Sequence, residues 1–166
     1  GKSSRFGTDK GLVPFMGRPL IDYSIEISEQ FTKDIIISAN NNEYEKFGFP
    51  LVPDIFKEAG PMGGIYSALR KAKYELNLIL PCDTPYIDKT LIHLLINNYD
   101  QEDVVIFQTE DHRFHPLLGI YHKRILPKLK KSLEKSHFKL IDLIFELHYK
   151  IIPIKVQDEY KRCFLN

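Results

Sequence analysis

The stretch from Glu75 to Tyr86, ELNLILPCDTPY, is a run of apolar residues followed closely by an acid. A short apolar run that ends at Pro81 predicts a buried β-strand whose carboxyl end leads to Asp83. In open α/β sheets, ligands bind beyond the carboxyl ends of the strands. Asp83 is therefore a candidate ligand of a hard cation such as Mg²⁺, which prefers carboxylate and phosphate oxygens. Alternatively, Asp83 is a helix N-cap or a turn acid before Pro85.

Similar apolar runs alternate with amphipathic segments along the rest of the chain. The further runs that predict strands are DIIISANN, FPLVPD, DVVIFQT, PLLGIY and KIIPIKV. A helix with Pro19 in its first turn is predicted, and further helices are predicted in GGIYSALRKA, KTLIHLLINNY, KRILPKLKKSLEK and KLIDLIFEL. Strands separated by helices form βαβ units, so we predict an α/β fold with a mostly parallel sheet and helices on both faces. The loops expected to bind a ligand are residues 38–42, 53–64 and 81–86.

Composition indicates one ordinary globular domain. The chain has 166 residues, of which 43% are hydrophobic and 27% charged, and its formal net charge is +1. A charge this small does not favour nucleic acid or an anionic membrane as a partner, so any anion site must be local. Two cysteines and no long apolar run lead us to expect a reducing, cytoplasmic setting.

The opening segment GKSSRFGTDKG, Gly1 to Gly11, begins with the Gly-Lys-Ser that ends a P-loop. A P-loop continues directly into a helix, but glycines and a proline interrupt the residues that follow here. What remains is a glycine-containing loop with Lys2, Arg5 and Lys10. Backbone N–H groups of such a loop, together with these cations, can bind a triphosphate. A solvated basic turn is the alternative.

Three other features have a structural and a functional interpretation. The glycines of GPMGG, Gly60 to Gly64, form either a turn before a helix or a second backbone approach to a ligand. His112 and His115 have the spacing of a metal pair, but no Cys or further His lies nearby in the sequence, which disfavours a metal site. Cys82 is expected to be a small buried residue and not a nucleophile.

The segment KRILPKLKKSLEKSHFK is strongly basic. Its apolar residues predict a helix with one buried face and one solvated basic face. The alternative is that Lys130, Lys131 and Lys135 help to receive an anionic substrate or an acidic partner protein.

Taken together, these motifs resemble the nucleotidyltransferases, and most closely the molybdenum cofactor guanylyltransferases. The resemblance rests on GKSSRFGTDKGLVPFMGRPL, followed in order by ISANN, VPD, GPMGGI, PCDTPY, FHPLLGIY and CFLN. It implies a Rossmann-like domain of the nucleotide-diphospho-sugar-transferase type that uses GTP and Mg²⁺. The phosphate of molybdopterin would attack the α-phosphorus of GTP and release pyrophosphate. Transient docking with cofactor-carrying proteins would follow from that role.

The resemblance also implies roles for individual residues. Arg5, Lys10 and Asp83 would be catalytic, with Asp83 as the Mg²⁺ ligand and the two cations at the triphosphate. The GTP contacts would be Gly1, Lys10, Asn40, Asp54 and Asp83. Such a site agrees with the chemistry, because phosphoryl-type transfer depends on positioning and charge neutralisation more than on a covalent nucleophile. His115 would shape the substrate cleft.

Two alternatives within and outside this class stay open. Cytidylyltransferases that use molybdopterin or methylerythritol phosphate share the fold and a similar loop, although Gly-x-Asp-Lys-Gly and Cys-Asp-Thr-Pro match the guanylyl branch better. A non-catalytic nucleotide-binding regulatory protein is the second alternative. We treat residues 1–166 as a single nucleotidyltransferase domain, and the resemblance leads us to expect a family strand before Gly1 and a family helix after Asn166.

Overall fold

The structure, a computed structural model, describes residues 9–154. Its helices in this range are α1 (Leu20–Glu29), α2 (Gly60–Lys71), α3 (Lys89–Asn98), α4 (Leu126–Glu134) and α5 (Leu140–Phe145). Its strands are β1 (Pro14–Phe15), β2 (Arg18–Pro19), β3 (Ile37–Ser38), β4 (Leu51–Val52), β5 (Leu76–Ile79), β6 (Val104–Thr109), β7 (Phe114–His122) and β8 (Tyr149–Ile154). Short 3-10 helices lie at Lys10–Leu12, Asn42–Phe47 and Lys123–Ile125. The predicted α/β class is confirmed.

The largest sheet is mixed. Its four strands lie in the order β5-β7-β6-β8, with β7 antiparallel to both of its neighbours and β6 parallel to β8. Three strands therefore run in one direction, and β7 alone is reversed. Only residues 110–113 separate β6 from β7, which is too short for the crossover that a parallel pair needs, so the two strands form a hairpin. A separate parallel pair consists of β3 and β4.

Helices cover both faces of this sheet, as predicted. Val104 and Ile106 of β6 pack with α2, α4 and α5 in one cluster, while Val105 and Phe107 pack with α1 and α3 in another. All four side chains are 0% exposed. Successive side chains of a strand point to opposite faces of the sheet, so β6 contributes to an apolar cluster on each face.

The predicted helices form, with differences at their ends. Pro19 is the N-cap of α1 and not a residue of its first turn. The helix α2 starts at Gly60, before the predicted GGIYSALRKA, because Pro61 suits the first turn, where its missing N–H costs no hydrogen bond. In α4, Leu129 and Leu133 are buried while the lysines are exposed, which confirms the helix with one apolar and one basic face. Within residues 9–154 no helix has the length and apolar character needed to cross a bilayer.

Candidate nucleotide-binding site

Lys10 and Asp83 form an ion pair at the end of β5. Lys10 Nζ lies 3.2 Å from Asp83 Oδ2, although 73 positions separate the two residues in the chain. The Lys10 side chain is 47% exposed and that of Asp83 is 21% exposed, so a ligand can reach both groups. Asp83 follows a strand whose carboxyl end faces the same way as that of β6. The pair therefore occupies the edge at which ligands bind in α/β sheets.

Asp83 is not the N-cap of α3, because that position belongs to Asp88, whose side chain accepts from the Leu91 N–H at 3.1 Å. Among the described residues there is no group of three or more His, Cys, Asp or Glu side chains that could hold a metal. A single accessible carboxylate beside a lysine nevertheless fits Mg²⁺, because this ion commonly takes one or two carboxylates and completes its shell with substrate phosphates and water. Asp83 therefore has the chemistry that the magnesium hypothesis requires.

Asn40 and Asp54 form a second pair in the loops after β3 and β4. Asn40 Nδ2 donates to Asp54 Oδ2 at 2.9 Å, and the Asp54 backbone N–H donates to Asn40 Oδ1 at 2.8 Å. The strands β3 and β4 run parallel, so both loops leave the same edge of that pair. Two residues proposed from the resemblance, 14 positions apart, are thus brought into direct contact.

The first turn of α2 lies against this second pair. A Cβ atom on Gly64 would sit 3.0 Å from Ser38 Oγ and 3.5 Å from Asp54 Oδ1, and a Cβ on Gly63 would sit 2.6 Å from the Phe56 carbonyl oxygen. The glycines of GPMGG therefore let a helix N-terminus approach Asp54 closely. A helix N-terminus carries partial positive charge and unpaired N–H groups, so it suits a nearby anion.

Tyr44 is hydrogen-bonded to the residue before Lys10, a contact that the sequence pattern did not indicate. It lies in the 3-10 helix that follows Asn40, and its hydroxyl donates to Asp9 Oδ1 at 2.6 Å, next to Lys10. Nothing in the local pattern NNEYEKF marks this tyrosine, because its partner is 35 positions away. Gly1, Lys2 and Arg5, the other residues proposed in the opening loop, lie outside the described residues.

The remaining candidates do not form a second catalytic group around this site. His115 Nε2 is hydrogen-bonded to Thr109 Oγ1 at 3.1 Å, at the end of β6, whereas the exposed His112 lies in the turn between β6 and β7. Burial raises the pKa of the Cys82 thiol, as does the neighbouring Asp83 carboxylate. Cys82 therefore stays protonated at neutral pH, which disfavours a nucleophilic role.

Comparison with known proteins places the chain in a family. The MobA-like NTP transferase domain matches residues 1–147. The molybdenum cofactor guanylyltransferase of Vibrio vulnificus is 36% identical over 171 residues, which cover 100% of this chain and 85% of that protein. A Flavobacterium johnsoniae protein named "Probable molybdenum cofactor guanylyltransferase" is 35% identical over 166 residues, covering 100% of this chain and 87% of its own length.

A solved structure has the same fold. The molybdopterin-guanine dinucleotide biosynthesis protein A of Archaeoglobus fulgidus superposes with a TM-score of 0.79 and 21% sequence identity, covering 100% of this chain and 87% of that one. At this level of identity, the similarity shows the fold only.

Proposed function

The chain belongs to the MobA-like NTP transferase family, a family of nucleotidyltransferases, and from this premise we propose that it transfers GMP from GTP to the phosphate of molybdopterin. Pyrophosphate is the second product. The observation that carries the proposal is the ion pair between Lys10 and Asp83, which unites a cation for phosphate with a carboxylate for Mg²⁺ at the edge of the sheet. The two relatives named as guanylyltransferases match this chain over its whole length, which supports guanylyl transfer in particular.

In this proposal, Lys10 and Asp83 bind the triphosphate end of GTP. Lys10 Nζ donates charge-assisted hydrogen bonds to phosphate oxygens and offsets the charge that builds up on the leaving pyrophosphate. Asp83 holds Mg²⁺, which when bound neutralises phosphate charge and orients the triphosphate. In the described structure Lys10 and Asp83 neutralise each other. When the nucleotide and its cation bind, Lys10 pairs with phosphate and Asp83 pairs with Mg²⁺, so two ion pairs replace one.

Asn40 and Asp54 are proposed to be further contacts of the bound GTP. Their mutual hydrogen bonds hold an amide and a carboxylate at fixed positions beside the N-terminus of α2. Groups that are already oriented lose little conformational entropy on binding, which favours affinity. Gly1 and Arg5 stay predictions from the resemblance. A cytoplasmic location stays a prediction from composition, and docking of an acidic cofactor-carrying protein on the basic face of α4 stays a prediction from the charge pattern.

The first test is calorimetric binding of GTP and of CTP, each with Mg²⁺, to the full chain and to Asp83→Asn. We expect GTP to bind more tightly than CTP. In Asp83→Asn the Mg²⁺ dependence of binding should disappear, and kcat/KM for GTP should fall roughly a hundredfold or more, because one preorganised charge at the reacting phosphates is lost. Asp34→Asn is the matched control, since Asp34 is an exposed carboxylate paired with Lys73 at 3.8 Å.

The outcomes separate the alternatives. Tighter binding of CTP would keep the fold and mechanism but change the product to a cytidine nucleotide. Binding of GTP without Mg²⁺-dependent release of pyrophosphate would indicate a non-catalytic nucleotide-binding protein. If neither nucleotide binds, or if Asp34→Asn and Asp83→Asn behave alike, the proposed function is wrong.

A further inference from the structure

Both neighbours of Lys10 in the chain lie against one side chain, that of Tyr44. The Tyr44 hydroxyl donates to Asp9 Oδ1 at 2.6 Å. On the other side of Lys10, a Cβ atom on Gly11 would lie only 2.5 Å from Tyr44 Oη and 3.2 Å from Cys82 Sγ. Only a glycine allows the backbone to lie this close to the tyrosine hydroxyl. The Asp9 side chain is thus hydrogen-bonded to the Tyr44 hydroxyl, and the Gly11 backbone packs against the same atom.

Tyr44 is held in a fixed position by the residues packed around it. It is 2% exposed and packs in an apolar cluster with Ile21 and Ile37. Burial, followed by the hydrogen bond to Asp9, raises the pKa of Tyr44 far above its ordinary value. The hydroxyl therefore keeps its proton at any physiological pH and always acts as the donor to the Asp9 carboxylate.

Tyr44 also lies close in the chain to the second pair of the candidate site. Tyr44 lies in the 3-10 helix Asn42–Phe47, shortly after Asn40, which is bonded to Asp54. Lys10 is bonded to Asp83 across the sheet edge. Lysine has a long, flexible side chain, so the place that its ammonium group reaches depends on where its backbone is held. Displacement of residues 9–11 would therefore move the Lys10 ammonium group relative to Asp83.

We propose that Tyr44 is a positioning residue for nucleotidyl transfer, which holds Asp9 and Gly11 so that Lys10 meets Asp83 and the triphosphate of the bound nucleotide. Tyr44 acts through Lys10 and does not itself contact the reacting atoms. This inference rests on the proposed function, because it takes Lys10 to bind the triphosphate.

The test is Tyr44→Phe, which keeps the ring in the apolar cluster and removes only the hydroxyl. Misplacement of a catalytic group by about 1 Å can cost on the order of a hundredfold in rate, so we expect kcat/KM for GTP to fall by about tenfold to a hundredfold. Hydrogen exchange should also become faster at the Leu12 and Val13 amides, which donate to the Asp9 and Lys10 carbonyl oxygens. The exchange readout is independent of turnover.

Tyr121→Phe is the matched control. Tyr121 is 0% exposed, and its hydroxyl donates to the Pro116 carbonyl oxygen at 2.5 Å. Each variant loses one buried hydroxyl, so a merely structural role predicts similar falls in Tm and similar kinetics for both. Our proposal predicts that only Tyr44→Phe lowers kcat/KM and accelerates exchange at residues 12 and 13.

A second comparison leaves Tyr44 in place, should Tyr44→Phe fail to fold. Asp9→Ala removes the acceptor and should reproduce the kinetic loss, whereas Asp9→Asn keeps an acceptor oxygen and should retain most of the activity. Equal kinetics of Tyr44→Phe and Tyr121→Phe, or of Asp9→Ala and Asp9→Asn, in a wild-type protein that turns over GTP would overturn the inference. A wild-type protein that neither binds nor turns over GTP would instead contradict the proposed function.

Discussion

The hydrogen bonds of the Thr109 hydroxyl determine which nitrogen of His115 carries a proton. Thr109 Oγ1 lies 2.5 Å from Asp111 Oδ1 and 3.2 Å from the Arg113 carbonyl oxygen, and both of these atoms only accept. The single hydroxyl proton must go to one of them, so His115 Nε2 must donate to Thr109. At the scale of one residue, the ring is therefore held as the Nε2–H tautomer at the carboxyl end of β6.

His115 should make stability depend on pH. Burial, followed by the nearby Arg113 charge, lowers the pKa of His115 in the folded state. Between that lowered pKa and the ordinary value of about 6.5, the unfolded chain binds more protons than the folded one, so stability falls as pH falls. Above about pH 6.5 this contribution vanishes.

We therefore expect the wild type to lose more unfolding free energy than His115→Gln when the pH is lowered from about 7.5 to about 5.5. Urea denaturation at both pH values measures the difference. His112→Gln is the control, because His112 is exposed in the adjacent turn. If His112→Gln and His115→Gln show the same pH dependence as the wild type, His115 does not contribute in this way.

At the scale of elements, α3 shows how a capping residue and an apolar face share the stabilisation of one helix. Leu91, Ile92 and Leu95 are each 0% exposed and cover one face of the large sheet. The first turn is closed by Asp88, which accepts from the Leu91 N–H at 3.1 Å. The helix begins only a few residues after Asp83, so its cap also helps to end the loop that carries this carboxylate.

Loss of the cap should destabilise the protein without creating a cavity. We expect Asp88→Ala to lower the unfolding free energy by about 1 kcal/mol, because one backbone N–H of the first turn loses its partner. Asp88→Asn should cost much less, since asparagine is an equally good N-cap. Chemical denaturation followed by far-UV circular dichroism measures both. Equal losses in the two variants would indicate that charge, and not capping, is the contribution of Asp88.

At the scale of the whole molecule, β6 ties the two main apolar clusters together. Ile106 belongs to the cluster with α2, α4 and α5, and Phe107 to the cluster with α1 and α3. Neither cluster can lose its packing on β6 without disturbing the strand that supports the other. This arrangement favours one cooperative folding unit.

We therefore expect a single unfolding transition, as the prediction of one domain requires. Far-UV circular dichroism should report the helices, and near-UV circular dichroism of the tyrosines should report packing. Coincident transitions of the two signals in urea are the expected result. Two separated transitions would show that the clusters unfold independently, and the single-domain prediction would then be wrong.

The order and type of the elements could be predicted because they depend on local patterns. The runs around Leu78 and Val105 have the apolar character of buried strands, and both form strands. The direction of β7 does not follow from a local pattern, since it depends on pairing with β5 and β6 on either side. The mostly parallel arrangement expected from alternating helices and strands holds for three strands of this sheet, while the short turn before β7 reverses the fourth.

By itself the sequence determined the α/β class, the family and the residue types of the candidate site, because periodicity and motifs are local properties of the chain. Only the tertiary structure decided which side chains meet. Lys10 and Asp83 are 73 positions apart, and Tyr44 and Asp9 are 35 apart, so no local pattern links them. Contacts of this kind form only when folding packs distant elements together. Asp83 could be predicted because it follows a local apolar run, whereas the role of Tyr44 depends on a partner 35 positions away.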